Sequence, residues 1–132
     1  MTLEALALQQ RTYRFFTRVI RFCETLPENR ITAGIGEQLA DSAGSADGNY
    51  RSACRAPSPE EFIAKIGAAA DEADESKGWL SALLSREYGD SDEARKLFHE
   101  AHELTAIFTA SRNTARRQLA ETRDLAPIEE RC

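Results

Sequence analysis

Four glycines fall within a segment whose apolar spacing predicts a helix, and this conflict limits the folds open to the chain. They are Gly34, Gly36, Gly44 and Gly48. Each interior glycine costs a helix about 1 kcal/mol relative to alanine, so packing against neighbours must stabilise this helix. Serines and alanines stand between the glycines, which leaves a low surface that another backbone can approach. We therefore expect a tightly packed helical bundle.

The composition indicates one globular domain. The chain has 132 residues, of which 42% are hydrophobic and 30% charged, enough to bury a core. No apolar run reaches the roughly 18 residues of a membrane helix, and acidic Glu4 stands where a secretory signal would carry positive charge. The wide spacing and odd number of Cys23, Cys54 and Cys132 argue against disulfides or a zinc site. We expect a cytoplasmic protein without a membrane segment.

Apolar spacing at helical intervals predicts four helices joined by short connections. They cover about residues 3–26, from Asn29 or Thr32 to before Pro57, from Ser58 onward, and from Ser91 to about residue 123. Ser58 is followed by Pro59 and, three residues on, by Glu61, the pattern of a capping box. The predicted fold is all-α, an up-down-up-down antiparallel four-helix bundle over residues 1–123. Residues 124–132 are expected to form a flexible tail.

The apolar arc of the first helix is broader than one bundle core requires. Its members cover nearly half of the circumference: Leu8, Phe15, Phe16, Val19, Ile20, Phe22, Cys23 and Leu26. A second buried surface is implied, so we expect the protein to assemble with itself. Phe15, Phe22 and Leu26 are the predicted interface residues of this helix, and Trp79 is predicted to anchor the interface or the core.

Residues around the second and third helices resemble a known family. The segments are QLADSAGSADGNYRSACRAPSPEEFIAKI and EADESKGWLSALL, within a resemblance over about residues 10–117. The positions that carry the pattern are Gln38, Leu39, Ser42, Ser45, Asn49, Arg51, Ser58, Phe62, Glu72, Glu75, Trp79 and Leu80. The chain is similar here to the bacterial four-helix-bundle proteins of 23S rRNA intervening sequences.

That resemblance implies a cytoplasmic bundle that assembles into a ring of five copies and has no enzymatic activity. The family also includes nucleic-acid-binding accessory proteins of diversity-generating retroelements, which are strongly basic. This chain departs from them with a pI of about 5.1.

Four arginines form a stripe on the first helix. Arg11, Arg14, Arg18 and Arg21 are spaced three, four and three residues apart and lie within an arc of about 80°. They could contact phosphates of RNA or DNA, together with Arg112 and Arg116 from the fourth helix of adjacent copies. Alternatively they pair with acidic residues of the third and fourth helices, in the same or a neighbouring subunit. The second interpretation is favoured because residues 57–104 carry twelve acidic and five basic side chains.

No residue pattern identifies a catalytic or cofactor site. His99 and His102 are three residues apart, which matches neither the zinc-protease spacing nor a carboxylate-bridged metal bundle. Glu72 and Glu75 are expected to pair with Arg51 or Arg55 of the second helix. We therefore expect a non-enzymatic, self-assembling scaffold or adaptor without metal, cofactor or small-molecule substrate. The alternative is a nucleic-acid-binding accessory protein that uses the arginine stripe.

Overall fold

The computed structural model describes residues 1–125, which form four α-helices and no strand within that range. The helices are α1 (Leu3–Cys23), α2 (Arg30–Cys54), α3 (Pro59–Ser85) and α4 (Ser91–Leu125). Contacts between successive helices run in opposite senses, as when Cys23 lies against Gly36 and Phe16 against Gly44. The predicted all-α class and single compact domain are confirmed.

Side chains cap the starts of all four helices, as the sequence predicts for Ser58. Each accepts a hydrogen bond from a backbone N–H of the first turn: Thr2 from Ala5, Asn29 from Thr32, Ser58 from Glu61, and Asp90 from Glu93. Helix α1 ends at Cys23, three residues earlier than expected, because Pro27 has no N–H to donate to the Cys23 carbonyl and also disfavours helical backbone at Leu26. Helix α4 continues to Leu125, beyond the predicted residue 123. The rest of the predicted tail, residues 126–132, lies outside the described residues.

All four helices contribute to one core. Its largest fully buried side chains include Phe15, Phe22, Leu39, Ile66, Leu80, Leu83, Leu97, Leu104 and Phe108. Phe15 and Phe22 are each only 1% exposed. This corrects their prediction as interface residues, because both rings are already buried within their own protomer.

Small residues of α2 receive bulky residues of α1 and of the segment that directly follows it. The Phe16 ring lies 3.0 Å from where a Cβ would stand on Gly44, and a Leu26 methyl lies 3.1 Å from the same point on Gly36. Side chains, rather than another backbone, therefore fill these two glycine positions. The broad apolar arc of α1 is largely used in this way, since α2 supplies little volume of its own.

A buried hydrogen bond joins α2 to α3. The hydroxyls of Ser42 and Ser76 are 2.7 Å apart. One hydroxyl donates to the other, and the accepting hydroxyl donates its own proton to a carbonyl of its own helix, either Leu39 O from Ser42 or Glu72 O from Ser76, each at 3.0 Å. A buried polar pair is stable only when both members are satisfied, so this contact fixes the alignment of the two helices along their axes.

Helix α4 extends past its contacts with α1 and α2. Arg11 of α1 binds Glu100 of α4, so the start of α1 is level with about residue 108 in the antiparallel pair. No described side chain of α4 after Phe108 is buried. This last part of α4 lies along α3, where Arg112 contacts Gly67.

Candidate functional site

The arginine stripe of α1 is divided between paired and unpaired side chains. Arg11 donates to both carboxylate oxygens of Glu100 at 2.6 and 2.7 Å and also contacts Glu103. Arg18 donates to the two oxygens of Glu93 at 2.7 and 3.3 Å. Such forked contacts are the geometry that favours arginine over lysine. Half of the stripe therefore holds α1 against α4.

The ion pairs between α1 and α4 also shift the pKa values of their members. Hydrogen bonds from Arg11 lower the pKa of Glu100, although burial acts in the opposite direction. The pKa of Arg11 is raised mainly by its hydrogen bond to Glu100, and that of Arg18 mainly by its hydrogen bond to Glu93. Both arginines thus stay charged and engaged within the protomer.

Arg14 and Arg21 lie outside these pairs, although Arg21 lines a cleft that also contains Asp90, Asp92 and Glu93. Both are exposed, and neither forms an ion pair with any other residue in the part of the chain that the structure describes. They directly follow Tyr13 and Ile20 in the sequence. The two arginines remain available to a partner.

Arg112 and Arg116 lie apart from the stripe. Arg112 is half-buried against Gly67, and its Nε has no hydrogen-bond partner among residues 1–125, whereas Arg116 is exposed. Because Arg11 is level with Glu100, Arg112 lies about 18 Å farther along α4, at 1.5 Å per residue. One protomer therefore does not bring the two predicted arginine groups together.

An apolar stripe is exposed on the outer side of α1. Leu6, Tyr13 and Ile20 are 44%, 53% and 43% exposed. Their seven-residue spacing places them on one side of the helix, two turns apart. We call this set the helix-1 face. Sequence reasoning included Ile20 in the apolar arc but missed Leu6 and Tyr13, and the seven-residue spacing was the signal that could have identified them.

A second apolar surface lies between α2 and α3. This α2–α3 groove, of about 260 Å³, is lined by Arg30, Ile31, Gly34, Ile35, Gln38 and Trp79. Ile31 is 69% exposed, and the space above Gly34 is open. Trp79, a predicted interface residue, is half-buried here, while Leu26 is half-buried against the core.

The predicted pairing of Glu72 and Glu75 with Arg51 or Arg55 does not form in the described residues. Arg51 lies 2.7 Å from Asp47 of its own helix rather than pairing with Glu72 or Glu75. Asp47 is 1% exposed, and its oxygens accept no well-formed hydrogen bond within residues 1–125. Burial raises the pKa of Asp47, and the nearby Arg51 charge opposes that effect.

A cleft of about 490 Å³ lies near the start of α1, among Leu8, Phe62 and Ile107. Its polar lining includes Tyr50 and Cys54, and burial raises the pKa of Tyr50. This tyrosine therefore remains protonated and is a poor base or nucleophile near neutral pH.

Two further features are absent from the described residues. No three or more His, Cys, Asp or Glu side chains are grouped to hold a metal ion. No described helix combines the length and hydropathy that crossing a membrane requires.

Comparison with known proteins identifies one family. The family model described as 23S rRNA-intervening sequence protein matches residues 4–110. A similar solved structure is a protein of unknown function from the S23 ribosomal protein family of Bacteroides thetaiotaomicron. It shares 22% identity over 84% of this chain and 99% of its own, with a TM-score of 0.75, a likeness of fold. Comparison with curated proteins gives no match.

Proposed function

Because the chain belongs to the family of 23S rRNA-intervening sequence proteins, we propose that it is a non-enzymatic, cytoplasmic scaffold or adaptor that works as a homo-oligomer. A ring of five copies is the assembly that the family resemblance leads us to expect. The observation that carries the proposal is the helix-1 face.

Single apolar residues are normal on a protein surface, whereas apolar residues grouped on one surface mark interaction sites. Leu6, Tyr13 and Ile20 follow one side of α1 over four helical turns. Residues at this spacing are the anchors through which a helix packs into a groove of a partner. Their exposure in a single chain supports a role in which other copies cover them.

The character of the clefts supports a function without catalysis. The cleft near Tyr50 and Cys54 is mainly apolar, and the raised pKa of Tyr50 gives it no activated base. The strongest charge contacts, between α1 and α4, are forked ion pairs that hold helices together. A scaffold or adaptor requires only a rigid helical bundle of this kind and a surface that contacts its partner.

The mass in solution tests self-assembly. Size-exclusion chromatography with light scattering at micromolar concentration should give a multiple of the 14.7 kDa chain mass. Five times that mass is the expected value. A particle of 14.7 kDa at every concentration would contradict the proposal.

A second candidate function is nucleic-acid binding, favoured by the arginines without carboxylate partners in the described part of the chain. Arg112→Glu combined with Arg116→Glu should then weaken binding to structured RNA and single strands and lower its dependence on salt. Arg95→Glu is the matched control, because Arg95 is exposed but already paired with Asp92 at 2.9 Å. Failure of the unmodified protein to bind at low salt would reject this candidate.

A further inference from the structure

The two exposed apolar surfaces of the protomer differ in shape. The helix-1 face presents three side chains that project from one helix. The α2–α3 groove is a recess whose centre lies above Gly34, with Ile31 and Trp79 beside it. A projecting stripe and a recess on different helices suit each other better than either suits a copy of itself.

Basic side chains accompany the helix-1 face and acidic ones the α3 side of the groove, whereas Arg30 of α2 lines the groove itself. Arg14 and Arg21 stand next to Tyr13 and Ile20 on α1, and neither has an ion-pair partner among the described residues. Their spacing of seven residues repeats that of the apolar side chains, so a basic edge accompanies the whole helix-1 face.

The groove is continued along α3 by acidic side chains. Trp79 Nε1 donates to Glu75 Oε1 at 3.4 Å, and Glu72 lies one turn before Glu75. Burial and then the charges of Glu75 and Asp71 raise the pKa of Glu72. No described basic side chain forms an ion pair with these three carboxylates. Their mutual repulsion is therefore unrelieved in one protomer, and an arginine from outside would relieve it.

We propose that the helix-1 face of one copy docks in the α2–α3 groove of the next, with Arg14 and Arg21 beside the acidic edge of α3. Copies then join head to tail, and each uses both surfaces. This pairing rests on the proposed self-assembly and specifies its interface. Contacts between unlike surfaces generate a closed ring or an open filament, whereas contacts between like surfaces stop at a pair.

Two variants disable opposite surfaces without touching the core. Tyr13→Glu places a charge on the helix-1 face, and Ile31→Glu places one in the groove; the two native side chains are 53% and 69% exposed. Leu125→Glu is the control, since Leu125 is equally apolar and 86% exposed but belongs to neither surface. Circular dichroism verifies that each variant is folded.

The decisive measurement is the mass of the variants alone and mixed. Tyr13→Glu and Ile31→Glu should each be monomers of about 14.7 kDa, and the control should match the native assembly. An equimolar mixture should form a dimer of twice that mass, because the intact helix-1 face of one variant meets the intact groove of the other.

Other outcomes separate the two proposals. A native oligomer that persists in either variant, or monomeric variants that remain monomeric when mixed, would overturn the head-to-tail pairing while self-assembly stands. A native protein that is itself a monomer would overturn self-assembly and the pairing with it.

Discussion

Gly44 and Gly48 lie four residues apart on α2, and replacing each by alanine should stabilise the protein at Gly48 but not at Gly44. The site at Gly48 has no atom within 4 Å of the new Cβ. Gly48→Ala should therefore show the intrinsic preference of helices for alanine, a gain of about 1 kcal/mol. At Gly44 the same methyl group would stand 3.0 and 3.1 Å from two carbons of the Phe16 ring.

The cost at Gly44 follows from that contact. Ordinary carbon contacts begin near 3.5 Å, so the ring must withdraw by about half an ångström. Overpacking typically costs about 1–3 kcal/mol, and the lower half of that range applies because Phe16 is only half-buried. After the helix preference is subtracted, Gly44→Ala should be neutral or destabilising by up to about 1 kcal/mol. The two variants should differ by about 1–2 kcal/mol.

Thermal and urea unfolding of both variants, followed by circular dichroism at equal protein concentration, measure this difference. For a chain of this size it corresponds to roughly 4–8 °C in Tm. If both variants gain stability equally, the Phe16 contact does not determine the spacing of α1 and α2, and the reasoning from size complementarity is refuted.

Three further substitutions test the charges and one turn. Glu100→Gln should cost about 1 kcal/mol at neutral pH, because it breaks a partly exposed ion pair with Arg11. Since the pKa of Glu100 is lowered on folding, the native protein should lose this advantage as the pH falls below about 4.5. Urea unfolding at pH 7 and pH 3 measures the difference between the two proteins, and a difference of the same size at both pH values would contradict the prediction. Asp47→Asn should raise stability at pH 7 by roughly 1 kcal/mol, because burial raises the pKa of Asp47. Above about pH 4 the native fold must therefore hold a carboxylate whose charged form is destabilised by burial. If urea unfolding shows the same gain in acid, the charge of Asp47 is not its cause. Gly89→Ala should destabilise by about 2 kcal/mol or more, since Gly89 has a φ of +75° and its new Cβ would stand 2.8 Å from Thr25 Oγ1; a calorimetric Tm equal to that of the native protein would contradict this.

The helices themselves could be predicted because their signals are local. Ser58 with Glu61 marks the start of α3, and Pro27 limits α1 from outside. Such features depend on a few neighbouring residues and act the same way in any bundle. The spacing of apolar residues likewise identified most of the core.

It was harder to predict which apolar side chains of α1 are buried within the protomer, because their burial depends on how much side-chain volume the neighbouring helices supply. The broad arc suggested a surplus for other copies, yet Phe15 and Phe22 are buried and Phe16 fills the space left by Gly44. Side-chain volume on α1 compensates for its absence on α2, a relation between two helices that a single-helix pattern does not contain.

The charged residues show the same limit. Pairing of the stripe with acidic residues was expected, and Arg11 and Arg18 do bind α4. Which two of the four arginines would pair depends on the rotation of α1 about its axis, which only packing determines. The partner of Arg51 was missed for a related reason, since Asp47 is buried although it is charged.

The length of α4 has a consequence for how the molecule opens. Beyond Phe108 this helix has no buried side chain among the described residues and lies along α3, with Arg112 against Gly67 and Arg123 3.8 Å from Glu60. Amide protons in that last half of α4 should exchange with solvent well before those of the four-helix part, because they can be released without disrupting the core. The end of α4 can thus detach locally while the four-helix core stays folded, and a partner that binds this end would slow its exchange without altering that of the core.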